Sequence, residues 1–379
     1  MIRRVAVAGV LTVVVIVGAI AISSRDDDHD DQRVSVGPSE TSSATTSVAP
    51  TTRGPRGNGT PITFAFAGDV NFPEEWDTED GPPPDAPPLA ERVRADPTHV
   101  LDAITPVLAD ADLTMVNVET AITDGGEPVA GKNYHFRSPP QTFEALKAAG
   151  VDVVTMANNH ALDYGPSGLQ DTFAAIDAGD LPVTGLGHDA NQAYAPYRTT
   201  IKGQRIAILS ASDWLEPALV ESWSATDSQP GIAFSIDRTR LLAEVAKVRP
   251  EVDTLVVFLH WGTEETWCAS SEQQDLATAL LGAGADIVVG SHAHRVFGAG
   301  KVDQALVAYG MGNFVYWRED GESGRSGVLK VTATGREVDA YSWVPARITD
   351  GVPVPQTGAA ADADLAEWNA RRDCSGISP

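Results

Sequence analysis

The segment Gly290-Ser291-His292-Ala293-His294 closes the apolar run Ala285-Asp286-Ile287-Val288-Val289. Alternate residues of a strand point to one face, so this pair can aim two imidazoles at a single point, and a metal ion is the usual reason for such convergence. A polar turn that happens to hold two histidines is the competing explanation. Four other apolar runs end in a similar way. Ile62–Ala67 runs into Gly68-Asp69-Val70-Asn71, and Leu113–Val116 into Asn117-Val118-Glu119. Val151–Met156 runs into Ala157-Asn158-Asn159-His160 with Asp163 close behind, and Thr254–Leu259 into His260-Trp261-Gly262. Taken singly, each ending reads equally well as a turn or a satisfied loop residue. Taken together, the imidazoles of His260, His292 and His294, the carboxylates of Asp69 and Glu119 and the amide of Asn159 match two borderline divalent ions sharing one bridging carboxylate. Asn71, Asn117 and Asn158 add donors and acceptors that need partners if they are covered. His99, His135 and His188 lie away from the strand ends and are expected outside any metal shell.

The elements between these residues explain how such distant positions could meet. Strands alternate with helices expected near Val100–Asp110, Pro140–Ala149, Ser167–Ala178, Asp237–Val248 and Ser271–Gly282. In an α/β sheet, ligands collect at the carboxyl ends of the strands. Beyond the histidine pair the alternation ceases. Ala305–Tyr309, Phe314–Tyr316, Gly327–Thr332 and Val338–Val344 read as antiparallel strands, and Leu365–Arg372 as a short helix. The Pro-rich excursion Pro73–Pro97 reads either as a segment overhanging the first strand end or as a disordered surface insertion.

The 379 residues suit one large domain with tails. A formal net charge of -25, from 52 acidic and 27 basic residues, repels phosphate backbones and argues against nucleic-acid binding. An anionic ligand would have to be held by local positive charge, of which a bound metal is the most compact source. Arg3 and Arg4 precede an uncharged apolar run, Val5 to Ile22, and Asp26–Asp28 follow it. That pattern predicts residues 1–22 as a single membrane-spanning signal-anchor with the rest of the chain outside. Cleavage near Ala21, giving a secreted protein, is the alternative. Residues 23–61, acidic and then rich in Ser, Thr, Pro and Gly, read as a disordered tether. Cys268 and Cys374 are the only cysteines. In an exported chain they are expected to pair, the alternative being two buried thiols.

The ordered set GDVNF, NVET, ANNHALDYG, HWGTE, GSHAH and GNFVY resembles the CapA/PgsA family of poly-γ-glutamate capsule biosynthesis proteins, within the calcineurin-like metallophosphatase superfamily. The resemblance covers about residues 62–345 and leaves 346–379 as a C-terminal tail. It implies an α/β fold, a four-layer αββα metallophosphatase-like sandwich with mixed sheets, carrying one or two divalent ions of Zn, Mn, Fe or Mg. Asp69 and His294 would hold the first metal, Glu119 would bridge, and Asn159, His260 and His292 would hold the second. His160, oriented by Asp163, takes the place of the catalytic histidine at the leaving group. The chain departs from the superfamily pattern at Asn71, where a ligand histidine is usual, and at Glu119, where the bridge is usually Asp.

The implied function is a membrane-tethered, extracytoplasmic metal-dependent hydrolase-fold protein in poly-γ-glutamate or related capsule polymer biosynthesis or processing. Its partners would be that anionic polymer, the membrane and a membrane synthase. A non-catalytic polymer-handling subunit of such a synthase, and a phosphoesterase with an unrelated substrate, are the alternatives. Protease added to intact cells is expected to reach the domain; full-length protein protected in the cytoplasm would refute the topology.

Overall fold

A computed structural model describes residues 56–74, 87–235 and 238–378. The expected spanning helix and most of the tether lie outside these residues. Among the described residues no helix is long and apolar enough to cross a membrane. The framework is two sheets face to face. The first has the order Val352–Pro355, Glu337–Thr349, Arg325–Thr334, Ile62–Val70, Leu113–Val118, Val153–Thr155, Val183–Thr184, with Asn313–Val315 also paired to Ile62–Val70. The second runs Ala299–Val302, Ala305–Ala308, Ile287–His292, Thr254–Trp261, Gln204–Ser212, Tyr197–Ile201. The first sheet is parallel from Ile62–Val70 to Val183–Thr184 and antiparallel on its other side, whereas the second is parallel at its centre with antiparallel strands at both edges.

Four layers follow from the strand period of two. Along the first strand Phe64 and Phe66 join Met115, Val153, Ile208, Phe258 and Val289 in a core between the sheets. Ala65 and Ala67 point the other way, into a second core with helices Leu89–Ala95, Gln141–Ala148 and Gly165–Gly179. The Thr254–Trp261 strand divides likewise, Val256 and Phe258 inward, Val257 and Leu259 onto helices Arg238–Val248 and Ser271–Ala283. Strands buried on both faces read as continuous apolar runs, which is why these segments show no polar alternation. Each fully buried Phe contributes roughly 1.5–3 kcal/mol. The expected αββα sandwich with mixed sheets is therefore the fold observed.

Several expectations are corrected. The helix over Val100–Asp110 contracts to Thr105–Leu108, since Pro106 lacks the N–H an interior helical position needs and is accommodated in the first turn. Of the four segments read as antiparallel, Asn313–Val315 pairs parallel with Ile62–Val70, and Ala305–Ala308 is parallel to Ile287–His292 while antiparallel to Ala299–Val302. Residues 75–86 of the Pro-rich excursion lie outside the described residues; its last part forms helix Leu89–Ala95, with Leu89, Ala90 and Val93 buried, and is not a disordered insertion. The segment past 345, expected as a tail with a short helix at Leu365–Arg372, also extends the first sheet. The Glu337–Thr349 strand runs through that boundary, Val352–Pro355 pairs with it, and helix Gly358–Ala370 stacks Trp368 on Trp343 with ring centroids 5.8 Å apart.

Cys268 and Cys374 are joined, with their Cα atoms 5.4 Å apart. The bond ties the chain end to the loop that follows His260. Because the closed loop spans a separation of 106 residues, the chain-entropy model gives about 4–5 kcal/mol of stabilisation. Denaturant unfolding with and without reductant is expected to show a loss of that order, matched by a Cys268→Ser, Cys374→Ser double variant; unchanged midpoints would contradict it.

Candidate metal centre

The predicted residues meet where the carboxyl ends of both sheets face one another. Asp69, Glu119, Asn159 and His160 come from the first sheet, and His260, His292 and His294 from the second. All are buried except His294, which is partly covered. A bulge aims Asp69 inward, since the register with Leu113–Val118 shifts between Phe66 and Asp69. Gly68 permits the close approach of Gly312, since a Cβ there would lie 1.8 Å from the Gly312 carbonyl oxygen, which accepts the Asp69 N–H.

The histidine pair converges for a different reason from the pleat. The strand ends at His292, which has φ of 94°, and His294 follows at 52°. Two non-glycine residues in the left-handed region carry strain, a cost often met at functional sites. It is this turn that brings the rings to a centroid separation of 6.3 Å. Face-sharing along a strand does not.

Two donor groups result. One is Glu119, His260 and His292; the other is Asp69, Glu119 and His294, and within each group one ligand atom per residue lies within 4.8 Å of the others. Glu119 is common to both. His260 Nε2 stands 3.3 Å from Glu119 Oε1 and 2.7 Å from Asn159 Oδ1, and His294 Nδ1 stands 3.6 Å from Asp69 Oδ2. A layer of amides holds these groups in place. Asn117 Nδ2 donates to Asp69 Oδ1 at 2.7 Å, and Asn158 Nδ2 donates to Asn117 Oδ1 at 3.0 Å and to the Val118 carbonyl at 2.8 Å. Asn71 is buried nearby and its Oδ1 accepts from Ser138. His99 pairs with Asp96, His135 bonds the Val129 carbonyl and His188 stacks on Phe173, all outside the two donor groups.

Burial raises the Asp69 carboxyl to about 6. Burial, and then the Asp69 charge, pushes Glu119 well above the usual carboxylate range. Burial also lowers His260 and His292 well below the ordinary imidazole value, and His294 to about 4. Both oxygens of Glu119 and both ring nitrogens of His292 are buried without a hydrogen-bond partner. Buried polar atoms are ordinarily satisfied. Two facing carboxylates and neutral imidazoles aimed at one space suit a divalent cation, and the cluster is compatible with binding one.

Several residues at the centre carried no signal in the reading of the strand ends. Ser291 Oγ lies 3.2 Å from His260 Nδ1, and Asn313 Oδ1 lies 2.7 Å from His294 Nδ1; both sit inside quoted motifs. Trp214 stacks on His292 at 4.7 Å and Phe136 on His160 at 3.8 Å. Lys132, from a loop without periodicity, reaches Asp163 Oδ1 at 2.7 Å.

A sandwich of two mixed sheets with acidic and imidazole donors gathered at its strand ends is the architecture of the metallophosphatase-like superfamily. Residues 63–317 match the model of the bacterial capsule synthesis protein PGA_cap family. The chain belongs to that family, which lies within the metallophosphatase-like superfamily. It is 31% identical over 268 residues to the capsule biosynthesis protein CapA of Bacillus anthracis, covering 69% of this chain and 64% of that one. It is 27% identical over 262 residues to the PGA biosynthesis protein CapA of Bacillus subtilis, covering 68% and 67%. The chain thus spans about two thirds of the length of these relatives. Among solved structures, a 5′-nucleotidase from Candida albicans aligns at 11% identity and a TM-score of 0.45, over 85% of this chain and 58% of that one.

Because a metal needs the carboxylates ionised, binding must displace the proton that Asp69 holds up to about pH 6 and the one that Glu119, pushed well above the usual carboxylate range, also holds. The three imidazoles are neutral over that range and release none. Affinity for Mn²⁺ or Zn²⁺ is therefore expected to rise with pH through about 6, with proton release seen by calorimetry in buffers of differing ionisation enthalpy. His292→Ala should lose retained metal. Affinity independent of pH between 5 and 7 would contradict the reading.

Proposed function

We propose that this chain is a membrane-tethered, extracytoplasmic metal-dependent hydrolase acting on poly-γ-glutamate or a related capsule polymer. The membership of the PGA_cap family and the capsule and PGA biosynthesis for which the relatives are named support the polymer. Arg3 and Arg4 before the apolar run support the tether. The observation that carries the catalytic part is the His160–Asp163 pair set beside the two donor groups.

In this reading Asp69 and His294 would hold one ion, Asn159, His260 and His292 a second, and Glu119 would serve both. A bound divalent pair would polarise the electrophile and lower the pKa of water beside it. The protein's own groups supply the proton traffic. His160 Nδ1 lies 2.6 Å from Asp163 Oδ2, so Nε2 is the ring nitrogen left to meet a leaving group. Burial lowers His160, so near neutral pH the imidazole is neutral with its Nδ1–H donated to Asp163, and its Nε2 lone pair can take a proton from the attacking water and deliver it to the leaving group. Phe136 stacked on the imidazole keeps water from one of its faces. The second reading, a non-catalytic polymer-handling subunit of a synthase, is favoured by the net charge of -25, which repels a polyanion from the surface around the site. A phosphoesterase of unrelated substrate would share the machinery and differ in what it cleaves.

The test is turnover of γ-linked polyglutamate and of bis-p-nitrophenyl phosphate by the metal-loaded chain. His160→Ala is expected to retain its metal and lose turnover by about 10²–10⁴-fold. If the variant supports capsule formation as well as the wild type does, the catalytic reading falls and polymer handling stands.

A further inference from the structure

We infer that Lys132 is a positioning residue of the metal centre, holding Asn159 and the His160–Asp163 pair in one arrangement. The inference deepens the proposed hydrolase reading and rests on it for its activity assay. Residues 123–136 link the short strands Ala121–Ile122 and Arg137–Ser138 without helix or strand of their own. The loop lies at the surface at Tyr134, which is 51% exposed, yet the Lys132 side chain is 1% exposed. Lysine is seldom so buried unless it is fully paired.

Its pairing is complete and specific. Three oxygens surround this ammonium: Asp163 Oδ1 at 2.7 Å and Glu216 Oε1 at 3.3 Å as ion pairs, and the main-chain carbonyl of Asn159 as a hydrogen-bond acceptor. The ring of Trp223 lies 4.9 Å away and closes the remaining side. Each acceptor leads to a different part of the centre. The Asn159 carbonyl belongs to the residue whose side-chain oxygen stands 2.7 Å from His260 Nε2. The second oxygen of Asp163 is bonded to His160 Nδ1 and accepts the Phe136 N–H, both at 2.6 Å. Glu216 follows the Gln204–Ser212 strand of the other sheet. One ammonium thus fastens the Asn159–Asp163 turn of the first sheet to a loop of the second. Lys132 Nζ also stands 3.5 Å from His160 Nδ1. Both atoms are donors when that nitrogen carries its proton, so the imidazole is oriented through Asp163, with Lys132 setting the carboxylate. Without the ammonium, Asp163 Oδ1 loses its counter-charge and the Asn159 carbonyl its donor, and the carboxylate is held through Oδ2 alone, by the Phe136 N–H and His160 Nδ1.

The test uses the metal-loaded full chain with bis-p-nitrophenyl phosphate. For Lys132→Met, kcat is expected to fall by about 10–100-fold, as for other residues that orient the groups of a metal site, with KM and bound metal per chain unchanged. Lys132→Arg, which keeps charge and reach, should recover part of kcat. A readout independent of turnover is the downfield Nδ1 proton of His160 in ¹H NMR, assigned by its loss in His160→Gln. It should be present in the wild type and lost to solvent exchange in Lys132→Met. A folded Lys132→Met with wild-type kcat and an intact proton signal would overturn the inference. If the wild type cleaves neither this ester nor γ-linked polyglutamate, the hydrolase reading fails and the NMR signal alone decides, its survival in Lys132→Met counting against the inference. If Lys132→Met does not fold, Glu216→Gln, which weakens one of the three bonds, should lower kcat and broaden the same proton; no change in either overturns it.

Discussion

Asp69 and Glu119 face one another in a space sealed from solvent, and the structure around them is arranged to make that tolerable. A buried carboxylate without a counter-charge is costly, and a second one beside it more so. Amides from Asn117 reach Asp69, but both oxygens of Glu119 remain without a hydrogen-bond partner. The imidazoles nearby are neutral by virtue of their burial and offer lone pairs, not charge. Such a set is compatible with binding a compact cation, and the packing of the two sheets holds its members together.

Holding it requires contributions from both sheets. A single sheet could align Asp69, Glu119 and Asn159 along one edge, yet His260, His292 and His294 come from the other. The core between the sheets, with Phe64, Phe66 and Phe258 in it, sets how closely those two edges approach. The left-handed backbone at His292 and His294 is the local expense of turning the second histidine back toward the first sheet. Such conformations persist only where the surroundings hold them. Here the His292 N–H donates to Asp69 Oδ2 at 3.3 Å and Asn313 Oδ1 meets His294 Nδ1.

The acidic character of the chain and the chemistry proposed for it are reconciled locally. Arg295 and Arg318 stand near His294 and help to depress its pKa, but both approach Glu265, at 3.6 and 3.5 Å. Lys132 is likewise matched by Asp163 and Glu216. The cations around the centre are therefore largely offset by neighbouring carboxylates. A polyanion would be drawn chiefly by charge introduced at the centre itself.

Much of this was legible in the sequence because it depends on local pattern. Apolar runs of strand length, each ending in a polar ligand type, identified the seven residues from Asp69 to His294 and the order of strands and helices between them. Two cysteines in a chain predicted to be exported were enough to suggest the bond that the structure contains. What the sequence could not supply has a common physical cause, namely dependence on contacts between distant segments. Whether Asn313–Val315 pairs parallel or antiparallel is decided by which strand lies beside it, and that neighbour is Ile62–Val70. The turn at His292 is held partly by Asp69, 223 residues away. Lys132 has no periodic context, and its burial arises only when loops from two sheets close over it. The sequence by itself determined which side chains could bind a cation; the packing of one sheet against the other decided that they would meet.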